Sequence, residues 1–356
     1  MARHSDSWRA SMLVPALSRL RPYVAGRGFG EISRRYGIPA TKIVKLGSNE
    51  NPYGPSPNVA DALAAISPER YPEPEGLLEG LSAYTGFPEE MIVIGAGMDG
   101  VMDTLTRIFL ERGDRTFIPT PTFSYYEILT ILAGADPVFV PRGPGFEAST
   151  AVPADAKMAF FCTPNNPTGN VMGEKEVRAL LENTDAVVFL DEAYVEFAER
   201  SLAGLVREYD NLIVGRTLSK AFGLAGLRLG YALAPPWIAE QYRRAAPPFF
   251  AVSAASVAAG TAALSDLPFM RRSVERIVSE RERLQKLIGA HPSQANFLYI
   301  ETEEDSAAFV EKFLQRGIII RDCRTFRGSG EHHVRVTVGT AEENERFLSA
   351  LQEICA

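Results

Sequence analysis

Between residues 91 and 234, short runs of apolar and β-branched residues alternate with stretches of helical periodicity. Met91–Ile94, Arg115–Ile118, Pro137–Val140, Ala159–Cys162, Ala186–Leu190, Leu212–Val214 and Leu229–Leu233 read as strands. Val101–Leu110, Tyr125–Ala133 and Lys175–Leu181 read as helices between them. This rhythm predicts an α/β domain with a mostly parallel seven-stranded sheet flanked by helices, whose ligand sites lie at the carboxyl ends of the strands. Beyond Pro247-Pro248 the pattern changes. A long charged helix over Arg271–Leu287 carries Val274, Ile277, Leu284 and Leu287 at helical spacing. Strands at Phe297–Ile300 and Val334–Val338 enclose a helix near Ser306–Gln315, which predicts a smaller α+β module. The expected division is an N-terminal arm or small-domain portion over 1–44, a large domain over 45–247 and a small domain over 248–356.

Residues Ala245–Ser265 carry no charge and are long enough to raise the question of a membrane span. They are mostly alanine, broken by Pro247, Pro248 and Gly260, and read instead as a linker followed by a small-residue helix. The apolar run Met12–Leu17 lacks the length and cleavage pattern of a secretory signal. A net charge of −7 argues against nucleic acid as a partner. The three cysteines show no metal-ligand spacing, and reduced thiols in a cytoplasm are the simplest account. Four histidines, of which His332 and His333 are adjacent, give no metal motif either, so no metal is expected.

Candidate chemistry falls just after the strands. Lys220 stands in Arg216-Thr217-Leu218-Ser219-Lys220, with Arg228 eight residues on. Only seven of the 37 basic residues Lys and Arg are lysines, so an amine at this place is a chosen chemistry. It can form a Schiff base with an aldehyde cofactor, while Thr217, Ser219 and Arg228 converge on a phosphate. Gly95-Ala96-Gly97-Met98-Asp99-Gly100 follows a strand and opens a helix, where free amides suit a phosphate; Met98 and Asp99 join the candidates. Thr163-Pro164-Asn165-Asn166-Pro167-Thr168-Gly169 holds Asn166 in a rigid turn, able to donate a well-aimed hydrogen bond. In Leu190-Asp191-Glu192-Ala193-Tyr194, a carboxylate at a strand end needs a cationic partner, and Tyr194 lies three residues on. Each of these runs, taken singly, also reads as an ordinary turn, surface lysine or helix opening.

In this order the runs resemble the fold-type I pyridoxal-phosphate-dependent aminotransferases of class I/II over nearly the whole chain. The resemblance implies that Lys220 carries pyridoxal 5'-phosphate, that Asp191 pairs with the pyridinium nitrogen, and that Asn166 and Tyr194 reach the ring hydroxyl. Phe123, in Pro121-Thr122-Phe123-Ser124-Tyr125, takes the ring-stacking position, where many relatives have tyrosine.

Within that family, Lys45-Leu46-Gly47-Ser48-Asn49-Glu50-Asn51-Pro52-Tyr53-Gly54-Pro55 closely resembles the histidinol-phosphate aminotransferase signature. The resemblance implies a homodimer with a shared active site, in which Tyr53 reaches the partner's cofactor phosphate and Tyr23 closes over the substrate from a mobile arm. Arginines 316, 321, 324, 327 and 335 make a basic segment in an acidic chain, suited to small anionic amino-acid substrates. The resemblance gives the carboxylate to Arg335 and the phosphate to Arg321, while Arg316 reads as solvated surface; Arg324 and Arg327 have no assigned role. Arg321-Asp322-Cys323-Arg324-Thr325-Phe326-Arg327-Gly328 also resembles the threonine-phosphate decarboxylases of cobalamin synthesis. Aromatic amino acids are further candidate substrates. A non-catalytic regulator on the same fold would carry a DNA-binding domain, for which 1–44 is too short.

Overall fold

The computed structural model describes residues 6–20 and 26–355. Twelve strands are found among them. A two-residue strand β1 (Val44–Lys45) precedes β2 (Ile92–Ala96), β3 (Arg115–Thr120), β4 (Asp136–Pro141), β5 (Ala156–Cys162), β6 (Val187–Asp191), β7 (Leu212–Thr217) and β8 (Leu229–Leu233). Then come β9 (Phe297–Glu301), β10 (Ile318–Ile319), β11 (Arg321–Asp322) and β12 (His333–Thr337). The seven strands β2–β8 form one sheet in the order β2-β8-β7-β6-β5-β3-β4. From β4 to β7 all neighbours run parallel; β8 is antiparallel to both β7 and β2.

Every expected strand of this sheet is present; β2, β3 and β7 extend two or three residues beyond the apolar run at their carboxyl end, and β4 and β6 extend one. The extensions matter. Hydrophobicity marks only the part of a strand that lies in the core, whereas Ala96, Thr120, Asp191 and Thr217 continue the ladder into the cleft with polar or small side chains. Helices Gly97–Phe109, Tyr125–Leu132 and Glu174–Glu182 cover the sheet. Val101 and Leu105 of the first are fully buried, as are Val177 and Leu180 of the third.

The remaining strands organise the smaller unit. β11, β12 and β9 form an antiparallel sheet, backed by helices Leu267–Ile288 and Ser306–Leu314; Phe347 of the helix Ala341–Cys355 stacks on Phe313 of the latter. β1 pairs in parallel with β10 as a separate two-stranded sheet, so the chain entering the large sheet is first bonded to a strand that adjoins the small one in sequence. The helix Phe29–Tyr36 continues that link: Arg35 and Tyr36 both bond Glu311. The uncharged stretch contains the helix Ala254–Leu264, and among the described residues no helix is long and apolar enough to cross a membrane.

Glu192, next to Asp191, does not face the cleft. It is buried and paired with Arg216 at 2.8 Å, and it also accepts from Ser201 Oγ and the Leu202 amide. Removing one member of such a pair strands the other charge without a counter-ion. Arg216→Met should therefore lower stability by about 3–5 kcal/mol, read as a lower urea midpoint of the apoprotein; an unchanged midpoint would show that the pair contributes nothing.

Candidate active site

The carboxyl ends of β2, β5, β6 and β7 meet the small sheet around a cavity of about 240 Å³. Its wall includes Lys220, Asp191, Tyr194, Asn166, Phe123, Met98, Asp99, Thr217, Ser219, Arg228, Arg321 and Arg335, which were chosen from separate parts of the sequence. Two other candidates are not on this wall. Tyr53 is half-buried elsewhere, with the Arg276 guanidinium 5.3 Å from its ring centre. Tyr23 lies outside the described residues.

Asp191 ends β6 and is buried. One carboxylate oxygen accepts from Tyr126 Oη at 2.5 Å and the other from the Ala193 amide at 2.9 Å. Burial pushes its pKa up to about 6, with these two donors pulling the other way. No cation of the described chain forms an ion pair with it. A buried carboxylate held by two neutral donors and open to a cavity is a receptor for a cationic group.

Lys220 points into the same cavity, its ammonium 3.4 Å from the Ser48 carbonyl and 5.6 Å from the Tyr194 ring centre. Burial, and after it the Arg335 charge, bring its pKa down to about 8. Near neutrality a usable fraction of this amine is unprotonated and nucleophilic. Tyr194 Oη accepts from Asn49 Nδ2 at 2.9 Å, and burial raises its pKa. Asn49 adopts φ +55° and is anchored at both ends: its amide donates to Thr337 Oγ1, and its carbonyl accepts from Asn296.

The opposite end of the cavity is built from main chain. Gly97 opens the helix with φ +76°, and a Cβ there would meet Arg228 Nη2 at 2.8 Å. Gly230 of β8 permits a second close approach, since a Cβ on it would lie 2.3 Å from the Met98 nitrogen. The helix start thus presses against the sheet with its free amides toward the cavity, an arrangement that favours an anion. Met98 contributes through the backbone, because its thioether packs beside Gly215 in the core. Asp99 contributes through Arg228, which it pairs at 2.7 Å. Thr217 Oγ1 donates to Ser219 Oγ at 3.0 Å, so both hydroxyls stand together at this end.

Cationic groups close the third side. Arg335 of β12 lies opposite Arg321 of β11 in the antiparallel register. Arg335 donates to Asn166 Oδ1 and to the Gly47 carbonyl, and its Nε has no partner among the described residues. Arg321 donates to Thr325 Oγ1 at 3.1 Å and lies 5.6 Å from the Phe326 ring centre. Arg321 and Phe326 also line an adjoining cavity of about 480 Å³. The other arginines of the basic segment are engaged with acids: Arg324 with Asp322 and Asp305, Arg327 with Glu127, and the exposed Arg316 with Glu353.

Several supporting residues were not identified from sequence. Tyr126 adjoins the recognised run Pro121–Tyr125, yet its hydroxyl reads as an ordinary core tyrosine. Arg142, buried with its pKa lowered to about 10 by desolvation, donates to the Pro121 and Phe146 carbonyls and to Asn165 Oδ1. Asn165 in turn accepts from Thr122 and donates to Pro121. The two adjacent asparagines divide the labour: Asn165 ties down the loop that carries Phe123, and Asn166 faces the cavity.

The donor set fits pyridoxal phosphate. An unpaired buried carboxylate suits a protonated ring nitrogen, a tempered lysine suits an aldehyde, and a helix start with two hydroxyls and an arginine suits a phosphate.

Comparison with known proteins agrees with this geometry. A sequence model of "Aminotransferase class I and II" matches residues 41–351. A protein of Methanosarcina mazei named histidinol-phosphate aminotransferase is 47% identical over 97% of this chain and 97% of its own. The crystal structure of histidinol-phosphate aminotransferase from Sinorhizobium meliloti in complex with pyridoxal-5'-phosphate superposes with TM-score 0.86, at 27% identity over 97% of both chains. L-threonine-O-3-phosphate decarboxylase from Porphyromonas gingivalis superposes at TM-score 0.76 and 25% identity, over 88% of this chain and 99% of that one.

Two tests address these contacts. Tyr126→Phe removes a donor that favours the ionised Asp191, so the carboxyl pKa rises above about 6. The Kd for pyridoxal phosphate at neutral pH should rise by about tenfold, with its acid limb displaced to higher pH; an unchanged limb would remove Tyr126 from this role. The rate at which apoprotein captures the cofactor should climb with pH through about 8, because only the neutral Lys220 amine attacks. Arg335→Gln should move that midpoint upward by deleting a neighbouring cation, and a pH-independent rate would refute the assignment.

Proposed function

The chain belongs to the class I and II aminotransferases, and on that premise we propose that it is a pyridoxal-phosphate-dependent histidinol-phosphate aminotransferase. It would exchange the amino group of histidinol phosphate with 2-oxoglutarate, giving imidazole-acetol phosphate and glutamate in histidine biosynthesis. The observation that carries the reading is the pairing of an unneutralised Asp191 with a pKa-lowered Lys220 in one cavity, facing two adjacent arginines.

Bound there, pyridoxal phosphate supplies an electron sink for a bond broken at the substrate Cα and a carbon that carries the amino group between half-reactions. The residues supply the rest. Asp191 keeps a proton on the ring nitrogen, and Tyr126 keeps Asp191 ionised and in place. Phe123 would stack on the ring, while Asn166 and Tyr194 would reach its hydroxyl oxygen. Arg228, Thr217, Ser219 and the amides of Met98 and Asp99 would hold the phosphate. Lys220 Nζ takes the proton from Cα, and its lowered pKa suits that task near neutral pH.

Arg335 would hold the α-carboxylate of glutamate and Arg321 the phosphate of histidinol phosphate. Planar guanidinium forks match both anions. Histidinol phosphate carries no carboxylate, so the Cα–H bond is the one left to break, which favours amino transfer over decarboxylation. The proposed working unit is a homodimer, with Tyr53 contributed to the partner's phosphate site. Its support is that Tyr53 stands away from its own chain's cavity.

The decisive experiment incubates the holoenzyme with histidinol phosphate and, separately, with threonine phosphate. Conversion of the cofactor to its amino form by the first is expected; carbon dioxide release from the second would instead identify a decarboxylase. Lys220→Ala should abolish turnover. Arg321→Ala should lower kcat/KM for histidinol phosphate by about a hundredfold, the loss of a charge-assisted contact, and should affect glutamate less. Equal losses would take Arg321 out of the phosphate site.

A further inference from the structure

His291, Glu301 and His333 are distant in sequence, and each looks unremarkable there. The fold brings one ligand atom from each to within 4.8 Å of the other two. Glu301 ends β9 and His333 begins β12, and they are direct partners across the antiparallel ladder. His291 follows the helix Leu267–Ile288, and its amide bonds the Tyr299 carbonyl, which sets it beside the same pair.

The imidazoles are held rather than free. His333 Nδ1 lies 2.8 Å from the Ser329 carbonyl. A carbonyl only accepts, so Nδ1 carries the proton and Nε2 keeps its lone pair for a ligand bond. Donation of the second ring nitrogen to a main-chain carbonyl is the usual support for a metal-ligating histidine. Tyr299 stacks on the His333 ring at 4.6 Å and 5°. Phe146 meets the His291 ring edge-on at 5.0 Å. Both rings are therefore oriented before any ion arrives.

We propose that His291, Glu301 and His333 form a binding site for a borderline divalent metal ion such as Zn²⁺, distinct from the cofactor cavity. Two neutral imidazole nitrogens and one carboxylate match the preferences of zinc, cobalt and nickel, whereas calcium and magnesium select all-oxygen sites. Metal–ligand bonds of about 2.0–2.1 Å put neighbouring ligand atoms roughly 3.3 Å apart in a tetrahedron. The remaining closure falls to Glu301, whose side chain is exposed and long enough to move inward. Water completes the coordination.

None of the three residues lines the cavity that holds Lys220, so the ion is structural. It cross-links the turn that follows the long helix to the edge of β9 and β12. Phe146, whose carbonyl accepts from Arg142 and from Asn170 Nδ2, brings the large domain to the same point. Arg335 lies two residues beyond His333 on the same face of β12. The ion thus braces the strand that presents the anion-binding arginine.

The test uses chelator-treated holoenzyme titrated with ZnCl₂ by calorimetry, with Co²⁺ absorption as a second probe. One Zn²⁺ per chain, a higher Tm with zinc, and tetrahedral-type cobalt bands are expected. His291→Ala and His333→Ala should each weaken zinc binding by about a hundredfold, at the upper end of what even a lost supporting contact costs, and should abolish the Tm shift. His332→Ala should do neither, since that ring turns to the Glu304 carbonyl. If His333→Ala does not fold, His291→Ala, on a half-exposed turn, carries the test alone. Absence of stoichiometric binding, or binding that survives His291→Ala, would overturn the proposal.

Discussion

A carboxylate buried without a counter-ion is the constraint around which this molecule is arranged. Asp191 lies at the end of a central strand, where its neighbours are apolar sheet and, among the described residues, its carboxylate accepts from a tyrosine hydroxyl and a main-chain amide. Those donors hold the charge in place without neutralising it. The cost of burial therefore appears as a raised pKa, which a cationic group placed against the carboxylate would lower again. Lys220 is destabilised in the opposite sense, since burial and Arg335 disfavour its protonated form. One acid and one base, each displaced toward neutrality, face the same cavity.

The sheet makes this convergence affordable. Parallel strands end at one edge, so residues separated by a whole βαβ unit arrive side by side. The small sheet then supplies what the large one lacks: two guanidiniums on adjacent antiparallel strands, aimed at the same opening. Asp191, Lys220 and Arg228 come from the large sheet and Arg321 and Arg335 from the small one, so the cavity wall draws on both.

Much of this was legible in the sequence because the motifs are local. Lys220, Asp191, Asn166 and Arg228 each sit in a short run whose composition exceeds what a turn requires, and the alternation of strands and helices placed those runs at one edge. What was not legible is non-local. Tyr126 is an ordinary residue of an amphipathic helix until the fold sets it under Asp191. Arg142 lies in a loop, and its role depends on carbonyls 21 residues before it and four after it. His291, Glu301 and His333 have no spacing to recognise, since a cross-strand register and a helix end bring them together. The polar strand ends Thr120 and Thr217 were also missed, because a ladder is fixed by main-chain bonds and hydrophobicity reports only its core.

The strip from Gly47 to Asn49 forms part of the cavity wall. Arg335 binds the Gly47 carbonyl, Lys220 lies against the Ser48 carbonyl, and Asn49 holds Tyr194 while bonded to Thr337 of the small sheet. Three consecutive residues thus contact Arg335, Lys220 and Tyr194 in turn. Any change in the course of this strip therefore shifts the Arg335 acceptor, the Lys220 contact and the Tyr194 donor together, so the three cannot be repositioned one at a time.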